Sequence, residues 1–142
     1  MGARVVALHR SHAGRQPLTP LERATVVEAA GLEGDRHSKA GNRRALLVME
    51  SEVLRQLELA PGAVREQITV EGVDLHGLVF GSRLRIGPTV LEVAAPCAPC
   101  GRMDEIRPGL RRELDGKRGR FVRVLAGGAI AVGDPIAVEP PV

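Results

Sequence analysis

The sequence predicts a mainly β domain, a compact barrel or sandwich, on the strength of three observations. Glycines and prolines recur at short intervals, 17 and 10 of them in 142 residues, and divide the chain into short segments. Most of the apolar runs between them have the length and composition of strands. Few segments have the spacing of an amphipathic helix. Many short strands with few helices favour a barrel or a sandwich over a wound parallel sheet.

Nine segments have the composition and the flanking turn residues expected of strands. They are Arg4–His9, Thr25–Ala30, Arg44–Met49, Ile68–Val70, Arg83–Ile86, Thr89–Ala94, Arg120–Leu125, Ala129–Val132 and Ile136–Val138. The clearest is Arg83–Ile86, where arginine and aliphatic residues alternate as in a half-buried strand. Gly87-Pro88 predicts a hairpin to the next strand, and Gly127-Gly128 predicts a second hairpin near the end of the chain.

Two segments predict short helices. Glu50–Leu59 places three apolar side chains on one face and is followed by Pro61-Gly62. Pro108–Leu114 begins with proline and ends shortly before Gly116, which suits the position after a helix. No internal repeat or linker interrupts the pattern, so we expect residues 1–142 to form a single domain.

The composition excludes several classes of partner. The chain has 20 basic and 17 acidic residues, and the segment from Arg102 to Arg123 carries a local excess of positive charge that suits an anionic ligand. It contains two phenylalanines and neither tryptophan nor tyrosine, which argues against a platform that stacks nucleic-acid bases. We therefore expect no nucleic-acid partner.

The beginning of the chain lacks the pattern of a secretory signal, and no apolar run has the length of a membrane span. We expect a cytoplasmic protein without a membrane partner, in which both cysteines are reduced.

The most distinctive local feature is the pair Cys97 and Cys100, which directly follows a predicted strand. A dithiol oxidoreductase would need a longer helix after the pair, whereas Arg107-Pro108-Gly109 interrupts that segment. Structural zinc would need two further ligands, and no second cysteine pair exists. Simple packing remains an alternative because cysteine is often buried. A proline-rich loop is, however, an unusual place for a packing residue.

Two further segments are candidates for a site. Residues 31–37 form a glycine-flanked turn that presents Asp35, Arg36 and His37 in succession, a combination that can bind an oxyanion or orient a thiolate ligand. The alternative is a surface turn without a ligand. Residues 61–72 place Glu66, Gln67 and Thr69 at the entry to an apolar strand, a common arrangement beside a pocket.

Together these segments resemble the MOSC domains, named after the C-terminal part of molybdenum cofactor sulfurase. The resemblance rests on segments that occur in the family's order and cover nearly the whole chain. They are Gly31–His37, Arg43–Leu47, Pro61–Gly72, Gly81–Gly87, Pro99-Cys100, Gly119–Gly128 and Val132–Asp134. The resemblance implies a MOSC-type β-barrel of the stand-alone bacterial kind, with two short helices.

The resemblance also implies the site residues. Cys100 matches the family cysteine that binds molybdenum or carries sulfur, so it is both the implied metal ligand and, with His37, an implied catalytic residue. The implied cofactor-binding residues are Asp35, Arg36, Arg43, Glu66, Gln67 and Thr69. Gln67 stands where asparagine is usual, Arg44 where glutamine often follows Arg43, and Cys97 where many relatives have arginine. We expect Sγ of Cys100 to share a cleft with His37 or Arg36.

Three functions stay open. The first is binding of a molybdenum-pterin cofactor through the Cys100 thiolate, with reduction of N-hydroxylated compounds; it needs an electron-donor protein, because two cysteines cannot hold a Cys₄ cluster. The second is sulfur transfer through a persulfide on Cys100, taken from a cysteine desulfurase. The third is a non-enzymatic module that escorts the cofactor.

Overall fold

The glycine- and proline-punctuated segments form ten strands and three short helices in the computed structural model, which describes residues 2–142. The strands are β1 (Arg4–Arg10), β2 (Thr19–Leu21), β3 (Arg23–Val26), β4 (Leu47–Glu50), β5 (Ile68–Glu71), β6 (Arg83–Ile86), β7 (Thr89–Pro96), β8 (Arg120–Ala126), β9 (Gly128–Ala131) and β10 (Ala137–Glu139). The helices are α1 (Ser51–Gln56), α2 (Gly101–Ile106) and α3 (Leu110–Glu113), and Leu75–Gly77 forms a 3-10 turn. The prediction of a mainly β fold is therefore confirmed.

Eight of the strands form one mixed sheet in the order β10-β6-β7-β8-β4-β5-β1-β2. Its neighbours are antiparallel except β4 and β5, which run parallel. A parallel pair needs a crossover connection, and α1 lies in the segment that joins these two strands. β3 and β9 form a separate antiparallel pair.

The predicted barrel closure is not established by the strand pairs of residues 2–142, whose large sheet ends at β2 and β10. Three backbone hydrogen bonds nevertheless join the start of β1 to the segment before β10. The amide of Val5 donates to Asp134, that of Gly133 to Val5 and that of Ile136 to Ala3, each over 2.9 Å. The start of β1 thus contacts β5 on one side and the segment before β10 on the other, and the end of β1 pairs with β2.

One predicted hairpin is confirmed and the other is wrong. Ile86 pairs with Thr89 across the Gly87-Pro88 turn, as expected. At Gly127 the chain instead leaves the large sheet, and β9 pairs with β3. β8 already has β7 and β4 on its two edges, so β9 cannot pair with it. A Cβ at Gly127 would lie 2.4 Å from the carbonyl oxygen of Val26, so glycine permits this close approach to β3.

The helices also differ from the prediction of two. Helix α1 ends at Gln56, earlier than expected, and α3 falls within the predicted Pro108–Leu114. Helix α2 was not predicted, because its six residues are too few to show helical periodicity. Within residues 2–142, no helix has both the length and the apolar character needed to cross a membrane.

A second apolar cluster, separate from the main core of the sheet, holds the helices in place. It brings together buried side chains of β4, of the three helices and of the loop before β5. Its members are Met49, Leu54, Val64, Met103, Leu110 and Leu114. Burial of one such side chain contributes about 1.5–3 kcal/mol. This cluster therefore anchors α2, and with it the cysteine loop that directly precedes α2.

A buried carboxyl group lies at the junction of β4 and α1. Glu50 is 9% exposed, and its pKa is raised to about 7, first by burial and then by the negative charges of Asp74 and Glu52. A hydrogen bond from the Leu75 amide acts in the opposite direction and is weaker. The folded protein therefore holds a proton on Glu50 at pH values where the unfolded chain releases it.

Substitution of Glu50 by glutamine is expected to raise the melting temperature at pH 8 by a few degrees and to leave it almost unchanged at pH 4. The folded pKa is raised above the ordinary 4.5, so the Glu50 contribution is lost as the pH rises from 4.5 through 7. The measurement is thermal unfolding from pH 4 to 8 for the wild type, Glu50→Gln and the exposed control Glu28→Gln. Parallel pH curves for the wild type and Glu50→Gln would contradict this prediction.

Candidate functional site

The candidate site is a cleft of about 290 Å³ where the loops after β1 and β3 meet β4, the residues before β5 and the cysteine loop. Its lining is rich in arginine and contains one cysteine. The lining residues are Gly14, Arg15, Arg36, His37, Arg44, Leu47, Arg65, Gln67, Cys97, Arg102, Arg118 and Phe121. The structure thus brings together three of the residues singled out in the sequence, Arg36, His37 and Gln67.

The Asp35 carboxylate holds several residues of this cleft in place, although Asp35 itself is not among the lining residues. Its side chain is completely buried. Oδ1 accepts a hydrogen bond from the Ser11 amide over 2.7 Å, and Oδ2 accepts from the His37 amide over 3.0 Å. Oδ2 also lies 3.3 Å from Nε2 of Gln67. One carboxylate therefore ties the end of β1, the 31–37 turn and the entry to β5 to each other.

Gln67 and His37 are oriented by their partners. Oε1 of Gln67 accepts from the Leu47 amide over 2.8 Å, which leaves the Gln67 amide nitrogen to donate to Asp35. Nδ1 of His37 lies 3.3 Å from Oδ2 of Asp35. Because a carboxylate oxygen can only accept a hydrogen bond, we assign the ring proton to Nδ1. A neutral His37 then has its lone pair on Nε2, where it can accept a proton from a ligand.

Six arginines line the cleft, and four of them have no carboxylate partner within residues 2–142. Arg15 and Arg102 both contact Glu105, at 3.0 Å and 3.5 Å. The four without an ion pair are Arg36, Arg44, Arg65 and Arg118. Such an excess of positive charge in one cleft is suited to an anionic ligand.

Arg118 is the most buried of these arginines, with 8% of its surface exposed. Its Nη2 donates to the Val64 carbonyl over 3.1 Å and its Nη1 to the Ala98 carbonyl over 3.3 Å. Its Nε is buried and has no hydrogen-bond partner within residues 2–142. A buried donor without a partner carries an energetic cost that a ligand acceptor would remove.

The backbone beside Arg118 requires glycine. Gly119 has φ +81°, and a Cβ there would lie 2.1 Å from the Val48 carbonyl oxygen. The Gly119 amide donates to Nε2 of His76 over 3.2 Å. Burial, and then the charge of Arg120, lower the pKa of His76, which favours the neutral ring that this hydrogen bond needs. The position of Arg118 therefore depends on the close contact between β8 and β4.

The two cysteines have different surroundings. Cys97 is buried against Leu47 and Phe121 and lines the cleft. Burial raises the pKa of its thiol, although the charges of Arg118 and Arg44 partly offset that effect. Cys100 is exposed, directly before α2. It is not among the lining residues, and its Sγ lies 3.9 Å from Nη1 of Arg118 at the side of the cleft. We expected Cys100 in the cleft, yet the cysteine of the lining is Cys97.

Three other predicted residues lie away from the cleft lining. Glu66 is fully buried and accepts hydrogen bonds from Thr69 over 2.6 Å and from the Gly62 amide over 2.8 Å. Burial raises the pKa of Glu66, against the effect of these hydrogen bonds. Glu66 and Thr69 therefore hold the loop that carries Arg65. Arg43 lines a different groove, and its neighbour Arg44 lines the cleft.

Sequence reasoning missed Arg15, Arg65 and Phe121. Arg65 lies inside the segment 61–72, where the family resemblance points to its neighbours Glu66 and Gln67. Arg15 stands in no recognisable motif, and Phe121 lies in the segment Gly119–Gly128, whose apolar residues predicted only a strand. The positive charge of the segment from Arg102 to Arg123 was the signal that pointed to Arg102 and Arg118.

The family is decided by a comparison with protein-family models. The model described as "MOSC domain" matches residues 35–137, which is most of the chain and includes nearly all of the cleft lining. The chain belongs to the MOSC domain family. No curated protein sequence shows significant similarity to this MOSC domain.

Solved structures share the fold of this MOSC domain. The YuaD protein from Bacillus subtilis is 22% identical with a TM-score of 0.83, and the match covers 99% of this chain and 97% of YuaD. YiiM from Geobacillus stearothermophilus is 21% identical with a TM-score of 0.77, covering 96% of this chain and 74% of that one. YiiM from Escherichia coli is 21% identical with a TM-score of 0.72, covering 98% and 71%. At these identities the likeness establishes the fold alone.

The difference between the two thiols of this MOSC domain can be measured by alkylation. We expect iodoacetamide to modify Cys100 at least about ten times faster than Cys97, because Cys100 is exposed whereas burial raises the pKa of Cys97. Mass spectrometry of quenched samples gives the two rates. In denaturant the two rates should become similar, and faster native modification of Cys97 would show that the assigned burial is wrong.

Substitution of Asp35 by asparagine tests the organising role of this carboxylate. We expect a loss of about 1–3 kcal/mol in the free energy of unfolding, because an amide cannot accept all of the hydrogen bonds that the buried carboxylate accepts. Urea unfolding measures the loss. Asp104→Asn is the matched control, since Asp104 is exposed and accepts a single backbone hydrogen bond, from Arg111. Equal effects of the two substitutions would contradict the assigned role.

Proposed function

We propose that this MOSC domain binds a molybdenum-pterin cofactor in the arginine-rich cleft and uses it to reduce N-hydroxylated compounds. One observation carries the proposal: four arginines of the cleft have no carboxylate partner within residues 2–142, and two free thiols lie in or beside the same cleft. The arginines suit the phosphate of the pterin, and a thiolate suits molybdenum. The association of MOSC domains with the molybdenum cofactor supports the same conclusion.

The residues present fit such a group. Within residues 2–142 the buried Nε of Arg118 has no acceptor, and a phosphate oxygen could act as one. The guanidinium carbon of Arg44 lies 5.1 Å from the centroid of the Phe121 ring. Both residues line the cleft, so the charge of Arg44 is available to an anion bound there. Asp35 and Gln67 stay engaged with each other and position His37 at the cleft.

We assign the metal-binding thiolate to Cys100. Cys100 is exposed, and a guanidinium nitrogen of Arg118 lies 3.9 Å from its sulfur. Burial raises the pKa of Cys97, which disfavours the thiolate that a metal requires. Cys97 then packs with Leu47 and Phe121 in the apolar part of the cleft lining.

When bound, the cofactor supplies two-electron chemistry at molybdenum. The protein's own residues bind the anion, orient the substrate and transfer a proton. His37 is the proton carrier in this proposal, because Asp35 holds its Nδ1 and leaves Nε2 to exchange a proton with the reacting group. Electrons come from a separate donor protein in a reducing cytoplasm.

Metal analysis tests this proposal. Protein purified without air from a molybdenum-replete host is expected to contain molybdenum and pterin at about one per chain, and Cys100→Ser is expected to lose most of the molybdenum. Cys97→Ser is the matched control, since it removes the buried thiol and leaves the proposed ligand in place. Full molybdenum content in Cys100→Ser, or molybdenum-free wild type, would contradict the assignment.

A second function, sulfur transfer, is favoured by the exposure of Cys100. An exposed thiol can reach the persulfide of a cysteine desulfurase, and the sulfane sulfur would pass to Cys100 as the donor recovers its thiolate. The same purified protein distinguishes the two functions. A Cys100 that gains one sulfur atom from the desulfurase, in a chain that contains no molybdenum, would favour the carrier over the reductase.

A further inference from the structure

We infer that the cleft recognises two phosphate groups, one more than the pterin of the proposed cofactor carries. The inference deepens the proposed function and rests on it for the identity of the first phosphate. It starts from the charges of the cleft. Four of its arginines lack a carboxylate partner within residues 2–142, and the only acidic residue that contacts the other two is Glu105.

A single phosphate cannot neutralise this charge. A phosphate monoester carries roughly −1.5 to −2 at neutral pH, which leaves at least two of the four guanidinium charges unmatched. The arginines also repel each other. Burial, and then the charges of Arg102 and Arg36, lower the pKa of Arg65. A second anionic group would relieve this repulsion.

The contacts of the four arginines divide them into two pairs. Arg36 and Arg65 form the serine pair, because both donate to the hydroxyl oxygen of Ser11, over 3.0 Å and 3.3 Å. This pair therefore lies beside the loop after β1. A phosphate at the serine pair would meet two guanidiniums that a common acceptor holds in position.

Arg44 and Arg118 form the second pair, named here the cysteine pair. Both act electrostatically on Cys97, and Arg44 lies over Phe121, which packs against Cys97. The buried Nε of Arg118 has no hydrogen-bond partner within residues 2–142. Because Arg118 is only 8% exposed, solvent does not easily satisfy this donor. The cysteine pair is thus a second, separately held position for a phosphate.

Two sources could supply the second phosphate. The cofactor itself could carry a nucleotide attached through a diphosphate, or the N-hydroxylated substrate could be phosphorylated. Both place a phosphate at each pair of arginines. The chemistry they share is recognition of two phosphates in one cleft of about 290 Å³, close to the lower end of the range for small-ligand sites.

The test uses inorganic phosphate and pyrophosphate as probes for the full chain without added cofactor. We expect calorimetry to show one pyrophosphate per chain, bound at least about tenfold more tightly than phosphate, the factor expected from one or more additional charge-assisted hydrogen bonds. Two variants remove one exposed arginine from each pair, Arg36→Gln and Arg44→Gln. Each should abolish most of the difference in affinity between pyrophosphate and phosphate. The control Arg85→Gln, whose ion pair with Glu139 lies outside the cleft, should bind like the wild type.

Equal affinity for the two probes, or equal loss in Arg85→Gln, would overturn the inference. Pterin analysis of the loaded protein then separates the two sources: a nucleotide released with the pterin assigns the second phosphate to the cofactor, and its absence assigns it to the substrate. Failure of the proposed function gives a different result, namely tight pyrophosphate binding in a chain that never contains molybdenum.

Discussion

The buried carboxylate of Asp35 is the constraint on which the rest of the site depends. It accepts hydrogen bonds from Ser11, His37 and Gln67, and Gln67 in turn accepts from Leu47 on β4. A buried carboxylate is stable only when several donors surround it. The loops after β1 and β3 and the entry to β5 must therefore converge at Asp35. That convergence places Arg36, His37 and Arg65 around one cleft.

The same convergence creates an electrostatic cost. Six arginines line one small cleft, and Glu105 contacts only two of them. The apolar cluster under the helices and the Glu66 hydrogen bonds hold α2 and the Arg65 loop in place despite this repulsion. Part of the stability of the fold is thus used to keep like charges together, a common property of sites that are completed by a ligand.

The family and most of the strands could be predicted because their signals are local. The alternation of arginine and aliphatic residues predicted both ends of β6, Arg83–Ile86, correctly. The strands on either side of Gly87-Pro88 pair as predicted. The predictions were wrong where strand pairing depends on residues that are distant in sequence. β9 has the composition of a strand, but the neighbours of β8 left it no edge there, and it pairs with β3 instead. β2, with three residues, is too short to show a period.

The sequence by itself determined the mainly β class and the MOSC family. It also singled out Asp35, Arg36, His37 and Gln67, which the structure places in or beside one cleft, since each lies in a recognisable segment. Only the tertiary structure decided which cysteine lines the cleft and that Arg44, rather than Arg43, faces it. It alone added Arg15, Arg65 and Phe121. The physical reason is that Arg43 and Arg44 lie in a turn and the two cysteines lie in a loop, where contacts with residues distant in sequence set the direction of each side chain. A sequence motif cannot show which of two nearby side chains the fold directs toward the cleft.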